Sequence, residues 1–220
     1  MICATIIEES VEEMVQKADK ADSDLVELRL DYLEGGGNLE LLKGIEGPII
    51  VSCPPISEGG RFKGGEEERA SVLKNALEFT DYLTVELRME RRLRDKLIKE
   101  AQNKNVRVIV SFHDFEKTPL KEEIVKVISE EMDARADIAK VAFKAKNSDD
   151  VVTLFQAVKG SEWRIPIIAL AMGDAGKITR SLGLALGSYM TYAAVSPDKR
   201  AVEGQLTIEE LKEKIEALRL

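Results

Sequence analysis

Lys140 interrupts an otherwise apolar run, Ile138-Ala139-Lys140-Val141-Ala142-Phe143. Burial in such a strand strips water from an ammonium, which favours the neutral amine and lowers its pKa. A neutral amine attacks carbonyl carbon, so Lys140 is a candidate for Schiff-base chemistry. Three apolar residues follow it, which removes the short route to solvent that a snorkelling lysine uses. His113 is the only histidine of the chain and the only side chain whose ordinary pKa lies near neutrality, which suits it to general acid–base work. It follows the run Arg107–Phe112, so it is expected at the carboxyl end of a strand; the structural alternative is a loop histidine bonded to Asp114. Two more runs alternate apolar and charged residues. Leu25 to Asp31 puts Glu27, Arg29 and Asp31 on one face, and Leu83 to Arg88 puts Thr84, Glu86 and Arg88 on one face. Structural ion pairs would account for any one of these strands. Four strands that turn ionisable groups toward one interior point to a site, because unpaired buried charge costs on the order of several kcal/mol.

Eight short runs rich in Val, Ile and Leu read as the strands that must hold these groups. They are Ile2–Ile7, Leu25–Leu30, Pro48–Cys53, Tyr82–Leu87, Arg107–Phe112, Ile138–Phe143, Pro166–Ala171 and Tyr189–Val195. Amphipathic segments lie between them. Ser10 with Glu13, and Thr207 with Glu210, read as capping boxes, and Thr118-Pro119 puts proline at a first helical position. Val11, Met14, Val15 and Ala18 recur at helical spacing, as do Ile208, Leu211, Ile215 and Leu218. Strict alternation of strand and helix demands parallel pairing with right-handed crossovers. Eight units predict an α/β fold, a closed (β/α)8 TIM barrel with residues 1–220 forming a single domain. An open doubly wound sheet would need a Gly-rich phosphate turn after the first strand, and Ile7-Glu8-Glu9-Ser10 is not one. Gly35-Gly36-Gly37 and the Gly59–Gly65 stretch read as short loops.

Composition narrows the partners. Hydrophobic residues are 44% of the 220 and charged residues 33%, enough to bury a core. Thirty-two basic against forty acidic side chains leave a net charge of −8, which argues against a nucleic-acid or anionic-membrane surface. Cys3 and Cys53 lie in apolar runs without metal-ligand spacing and read as buried, reduced thiols, and one histidine leaves no ordinary zinc site. The N-terminal run is too short for a leader, and none approaches the roughly 18–20 apolar residues of a membrane helix. A soluble, cytoplasmic protein is expected.

Several motifs together resemble the type I 3-dehydroquinate dehydratases. They are Glu27-Leu28-Arg29-Leu30-Asp31, Ser111-Phe112-His113-Asp114-Phe115 with Lys117-Thr118-Pro119, Asp137-Ile138-Ala139-Lys140-Val141-Ala142, Met172-Gly173 with Gly176-Lys177-Ile178-Thr179-Arg180, and Gly204-Gln205. They run in the family's order over essentially the whole chain. The resemblance implies dehydration of 3-dehydroquinate to 3-dehydroshikimate in the shikimate pathway, through a covalent imine, with no cofactor and no metal. It implies that Lys140 condenses with the C3 ketone, that His113 moves the C2 proton to the departing C1 hydroxyl, and that Glu58 orients His113. It assigns Glu27 and Arg29 to ring hydroxyls, Arg180 to the substrate carboxylate, Gln205 to a hydrogen bond, and Met172 and Tyr192 to apolar walls. A homodimer is also implied.

The chain departs from the pattern mildly at Leu170, a second methionine position of the family, and more strongly at two places. The family carries an arginine four residues before the Glu-Gly-Gly carboxylate, where this chain has Pro54. Its Ser-Ala-Pro-Gly-Gln segment reads Ala201-Val202-Glu203-Gly204-Gln205, which loses a hydroxyl and a proline and adds a negative charge that Lys199 and Arg200 are placed to offset. The residues alone leave two other readings open. One is a class I aldolase or transaldolase, which also uses a barrel lysine. The other is a non-catalytic barrel that binds a metabolite or a partner. The loop Gly173–Gly176 reads as a helix start that carries Arg180 and not as a phosphate cradle, because Asp174 would repel an anion.

Overall fold

Each short apolar run becomes a strand, and each strand is followed by a segment that returns along the outside. The computed structural model describes residues 1–218. In chain order the elements are β1 (Ile2–Ile6), α1 (Val11–Ala18), β2 (Leu25–Arg29), β3 (Ile49–Ser52), α2 (Glu66–Ala76), β4 (Tyr82–Glu86), α3 (Arg91–Asn103), β5 (Arg107–Asp114), α4 (Lys121–Asp133), β6 (Ile138–Lys144), α5 (Ser148–Lys159), β7 (Ile167–Met172), α6 (Ile178–Ala185), β8 (Thr191–Ala194) and α7 (Ile208–Ala217). All ladders are parallel, in the order β7-β6-β5-β4-β3-β2-β1-β8. The β7–β8 seam is bridged and not laddered. Tyr189 N–H donates to Ile167 O at 2.8 Å, and Ser188 Oγ accepts the Ala169 N–H at 3.1 Å while donating to Met190 O at 3.1 Å. The nearly closed ring with its helices outside is the TIM barrel that the alternation predicts.

Local chemistry corrects three expectations. No α-helix forms between β2 and β3, because Gly35, Gly36 and Gly37 take φ values of +76°, +86° and +65°, a left-handed run that no helix continues. The remaining length holds only a 3₁₀ segment, Leu39–Gly44, that buries Leu42. Thr118-Pro119 does not open a helix either. Thr118 Oγ1 donates to Lys144 O at 3.0 Å and holds this loop against the end of β6, so α4 starts at Lys121, with Glu123 accepting the Leu120 N–H at 3.0 Å. The Thr207–Glu210 capping box is complete. At Ser10 only half forms, because the Glu13 carboxylate takes the Ser10 hydroxyl and leaves the main-chain donor. The α1 stripe faces the core; on α7, Ile208 and Leu211 are buried, whereas Leu218 is exposed.

Period-two alternation sorts the barrel interior into a floor and a site. Cys3, Leu25, Ile50, Ile109, Ile138 and Ile168 form an apolar floor, and their neighbours in sequence pack against the helices. Two residues further along the same strands stand Glu27, Ser52, Ser111 and Lys140, with Arg29 and His113 two beyond. Cys3 and Cys53 are buried free thiols, and burial pushes Cys53 up to about 12. No helix among the described residues is long and apolar enough to cross a membrane.

One carboxyl lies behind the sheet. Glu131 on α4 is fully buried and neither of its oxygens has a hydrogen-bond partner among the described residues. Burial raises its pKa well above the ordinary 4.5, so the folded state holds a proton that the unfolded state releases. Its contribution to stability is therefore complete below pH 4.5 and is lost as pH rises through the folded pKa. Glu131→Met, similar in volume, is expected to stabilise the fold by about 1–4 kcal/mol at pH 8 and by less at pH 5. Chemical denaturation at the two pH values checks this; an equal gain at both would count against the protonated carboxyl.

Candidate active site

A pocket opens at the carboxyl ends of the strands, the face on which barrel enzymes build their sites. The structure brings every site residue expected from the sequence into its lining: Glu27, Arg29, Glu58, His113, Lys140, Met172, Arg180, Tyr192 and Gln205. Lys140 rises from the middle of β6, 7% exposed. Its Nζ lies 3.9 Å from the centroid of the Tyr192 ring, and among the described residues no carboxylate pairs with it within 4 Å. Burial, the largest cause, lowers its pKa, and the Arg29 and Arg180 cations act in the same direction, whereas Glu27 and Cys3 favour the ammonium.

His113 sits within β5 and not beyond it, in register with Ala142. It therefore stands one strand over and two residues, about 7 Å, nearer the mouth than Lys140. Its Nδ1 donates to Glu58 Oε2 at 3.1 Å, which leaves Nε2 as the free ring nitrogen. Burial lowers its pKa below 6.5, opposed by the hydrogen bond to Glu58; the ring is neutral at pH 7. Phe115 stacks on the imidazole, with centroids 5.9 Å apart. Arg88 does not point inward as its strand position suggests, because β4 ends at Glu86. It is half-exposed at the rim, where Nη1 donates to Glu58 Oε1 at 3.2 Å and to His113 O at 2.8 Å.

Two glycines let Glu58 reach the histidine. Gly59 has φ +76°, and a Cβ there would lie 2.5 Å from Phe115 Cζ; at Gly60 it would lie 1.8 Å from Pro54 O. Only glycine permits both approaches. Position 54 thus supports this turn with its backbone and supplies no charge.

The remaining side chains divide by partner. Arg29 is clamped by Asp31 through two bonds of 2.7 Å, and Asp31 also accepts the Arg61 N–H at 2.8 Å. Arg180 donates only to carbonyls, Gly204 O at 2.9 Å and Tyr192 O at 3.1 Å. It is buried with no carboxylate partner among the described residues, and burial brings its pKa down to about 10. Such a guanidinium favours an incoming anion. Gln205 bonds within the fold, donating to Thr5 Oγ1 at 3.0 Å and accepting the Ala201 N–H at 2.7 Å, so one Nε2 hydrogen is left over. Glu203 points away from the pocket and pairs with Lys144. The expected offset by Lys199 and Arg200 is replaced, because Lys199 is held by Glu8 and Arg200 by Glu210.

None of the sequence motifs singles out Arg69. It ends the acidic run Glu66-Glu67-Glu68, which reads as a solvated face, yet Arg69, Leu73 and Ala76 recur at helical spacing and are all buried on α2. That spacing is the clue.

Fold and pocket together define a barrel enzyme with its site at the carboxyl ends of the strands. The sequence profile of the type I 3-dehydroquinase family matches residues 2–219. The 3-dehydroquinate dehydratase of Methanocaldococcus jannaschii is 34% identical over 216 residues, 97% of this chain and 96% of that protein. Among solved structures, the 3-dehydroquinate dehydratase of Geobacillus kaustophilus superposes with a TM-score of 0.90 at 28% identity, over 99% of this chain and 90% of that one. The type I enzyme of Clostridium difficile, described with covalently modified comenic acid, gives 0.89 at 29%, over 99% and 91%. The chain belongs to the type I 3-dehydroquinase family, whose members are hydro-lyases.

Proposed function

We propose that the protein dehydrates 3-dehydroquinate to 3-dehydroshikimate through a Schiff base on Lys140. The observation that carries this reading is a buried lysine with no carboxylate partner among the described residues, one strand away from a neutral histidine that is itself held by a carboxylate. A covalently modified ligand in the related C. difficile barrel supports it.

The Lys140 amine adds to the C3 carbonyl carbon, the carbonyl oxygen leaves as water, and a protonated imine remains. That imine draws electrons, so His113 Nε2 removes a C2 proton and the electron pair moves into an enamine. The enamine returns its pair to form the C1–C2 double bond as the C1 hydroxyl departs with the proton from His113. Hydrolysis of the imine then releases the enone and the amine, for a net loss of one water. Glu58 stabilises the intervening imidazolium. Glu27 and the free end of the Arg29 guanidinium take ring hydroxyls. Arg180 holds the carboxylate, Gln205 adds its remaining hydrogen, and Met172 and Tyr192 wall the ring.

Borohydride reduction during turnover, followed by mass spectrometry of peptides, tests the reading. One adduct is expected, on Lys140, with 3-dehydroquinate and none with a sugar phosphate. A sugar-phosphate adduct would favour an aldolase, and no adduct and no turnover would favour a binding barrel. Arg180→Gln is expected to raise KM for dehydroquinate by about tenfold to a hundredfold, the weight of a charged hydrogen bond, while the adduct still forms at saturating substrate. Steady-state kinetics and trapping together check this.

A further inference from the structure

β3 and β4 pair only at Ile50↔Tyr82 and Val51↔Leu83, whereas the β4–β5 ladder runs from Tyr82↔Arg107 to Glu86↔Ser111. Above their short ladder β3 and β4 part, and Arg69 from the first turn of α2 enters between their tips, 1% exposed. Its Nε and Nη2 donate to the two Glu66 oxygens at 3.1 and 3.0 Å, and its Nη1 donates to Cys53 O at 3.3 Å and to Glu86. Glu86 is buried and lines the pocket beside Ser52 and Thr84, whose buried hydroxyls have no hydrogen-bond partner among the described residues. In an eight-stranded ring this wall lies across the pocket from β7 and β8, the elements that lead to Arg180 and Gln205.

We propose that Arg69 is a positioning residue of this site. Anchored by Glu66 and Cys53 O, it holds the Glu86 carboxylate on the β3–β4 wall, where Glu86, Ser52 and Thr84 together receive a hydroxyl of the ring whose carboxylate is held opposite. The proposal rests on the dehydratase reading above and adds a residue and a wall to it. Its physical basis is the fate of a buried carboxyl. Burial raises the pKa of Glu86 above its ordinary 4.5 although Arg69 opposes the rise, so without the guanidinium it rises further and the wall exchanges an anionic acceptor for a protonated acid that is free to turn toward Glu58.

The test compares wild type with Arg69→Met, Glu86→Gln and the double variant, which removes both charges and so leaves no buried charge unpaired. For Arg69→Met the expected result is a KM for dehydroquinate raised about tenfold or more, with the borohydride adduct retained at saturating substrate. Its kcat/KM is expected to recover as pH rises and Glu86 ionises, a limb that the double variant lacks while keeping the raised KM. A merely structural Arg69 would change the folded fraction at every pH alike and leave KM unmoved. Wild-type KM in the double variant, or loss in Arg69→Met independent of pH, would overturn the proposal while leaving the dehydratase reading intact. A wild type that neither turns over dehydroquinate nor forms the adduct would overturn both.

Discussion

Lys140→Ala is expected to lower kcat by roughly 10⁴-fold or more and to abolish the borohydride-stable adduct, with the fold preserved. The magnitude follows from the role. A nucleophile that acts as a unit with its acid–base partner takes nearly the whole covalent pathway with it when removed. The fold should tolerate the change because no carboxylate pairs with Lys140 within 4 Å among the described residues, so Glu27 loses a favourable attraction but no direct partner. Burial also strips hydration from this ammonium in the native state, and its deletion relieves that. Lys140→Met separates chemistry from packing. It restores the volume against Tyr192 without the amine, and it should be as inactive as alanine. Residual turnover near the wild-type rate in either variant would remove the imine from the mechanism, whatever the fate of the adduct.

His113→Ala is expected to do something different, in that the adduct persists while turnover falls by about 10² to 10⁴-fold. Condensation with the ketone requires the amine of Lys140, whereas breaking the C–H bond requires a base at the right place. Wild-type kcat/KM should decline on the acid side with a midpoint below 6.5, because burial holds the imidazole neutral to lower pH than usual. Glu58→Gln supplies the sign check. Glu58 raises the pKa of His113 through their hydrogen bond, so its loss should move that midpoint lower still. The maximal rate should also drop, by about tenfold or more, since the imidazolium formed in the reaction loses its carboxylate. A midpoint that moves upward would show that another group governs the limb. Undiminished turnover in His113→Ala would remove the histidine from the reaction.

How much of this was legible beforehand follows from what kind of force places each residue. The strands were legible because the interior of a parallel barrel demands alternation, and a period of two survives in a single sequence. That alone put Glu27, Arg29, His113 and Lys140 inward. The missing second helix was not legible as such, although the three glycines that prevent it were. Arg88 and Arg69 show the limit most clearly. The alternation that places Glu86 inward also assigns Arg88 to the interior, but the strand ends first and the side chain turns out over Phe112, with Cζ 4.0 Å from the ring centroid. Arg69 stands among glutamates and reads as surface, yet the parting of β3 and β4 makes room for it inside. Glu203 is the same lesson at the loop after β8, where a charge next to the site in sequence is paired with Lys144 and turned away.

The sequence by itself determined the eight-unit barrel, the inward set of ionisable groups and the presence of an amine and an imidazole among them, because hydrophobic periodicity and side-chain type are local properties that need no partner to be read. Tertiary structure decided which of those charges are paired and which are left to act. Arg29 with Asp31, Glu86 with Arg69 and His113 with Glu58 are matched across separate elements, while Lys140 and Arg180 are buried with no such match among the described residues. The reason is that desolvation and Coulomb pairing depend on distances between strands and loops far apart in the chain, which no spacing along it encodes.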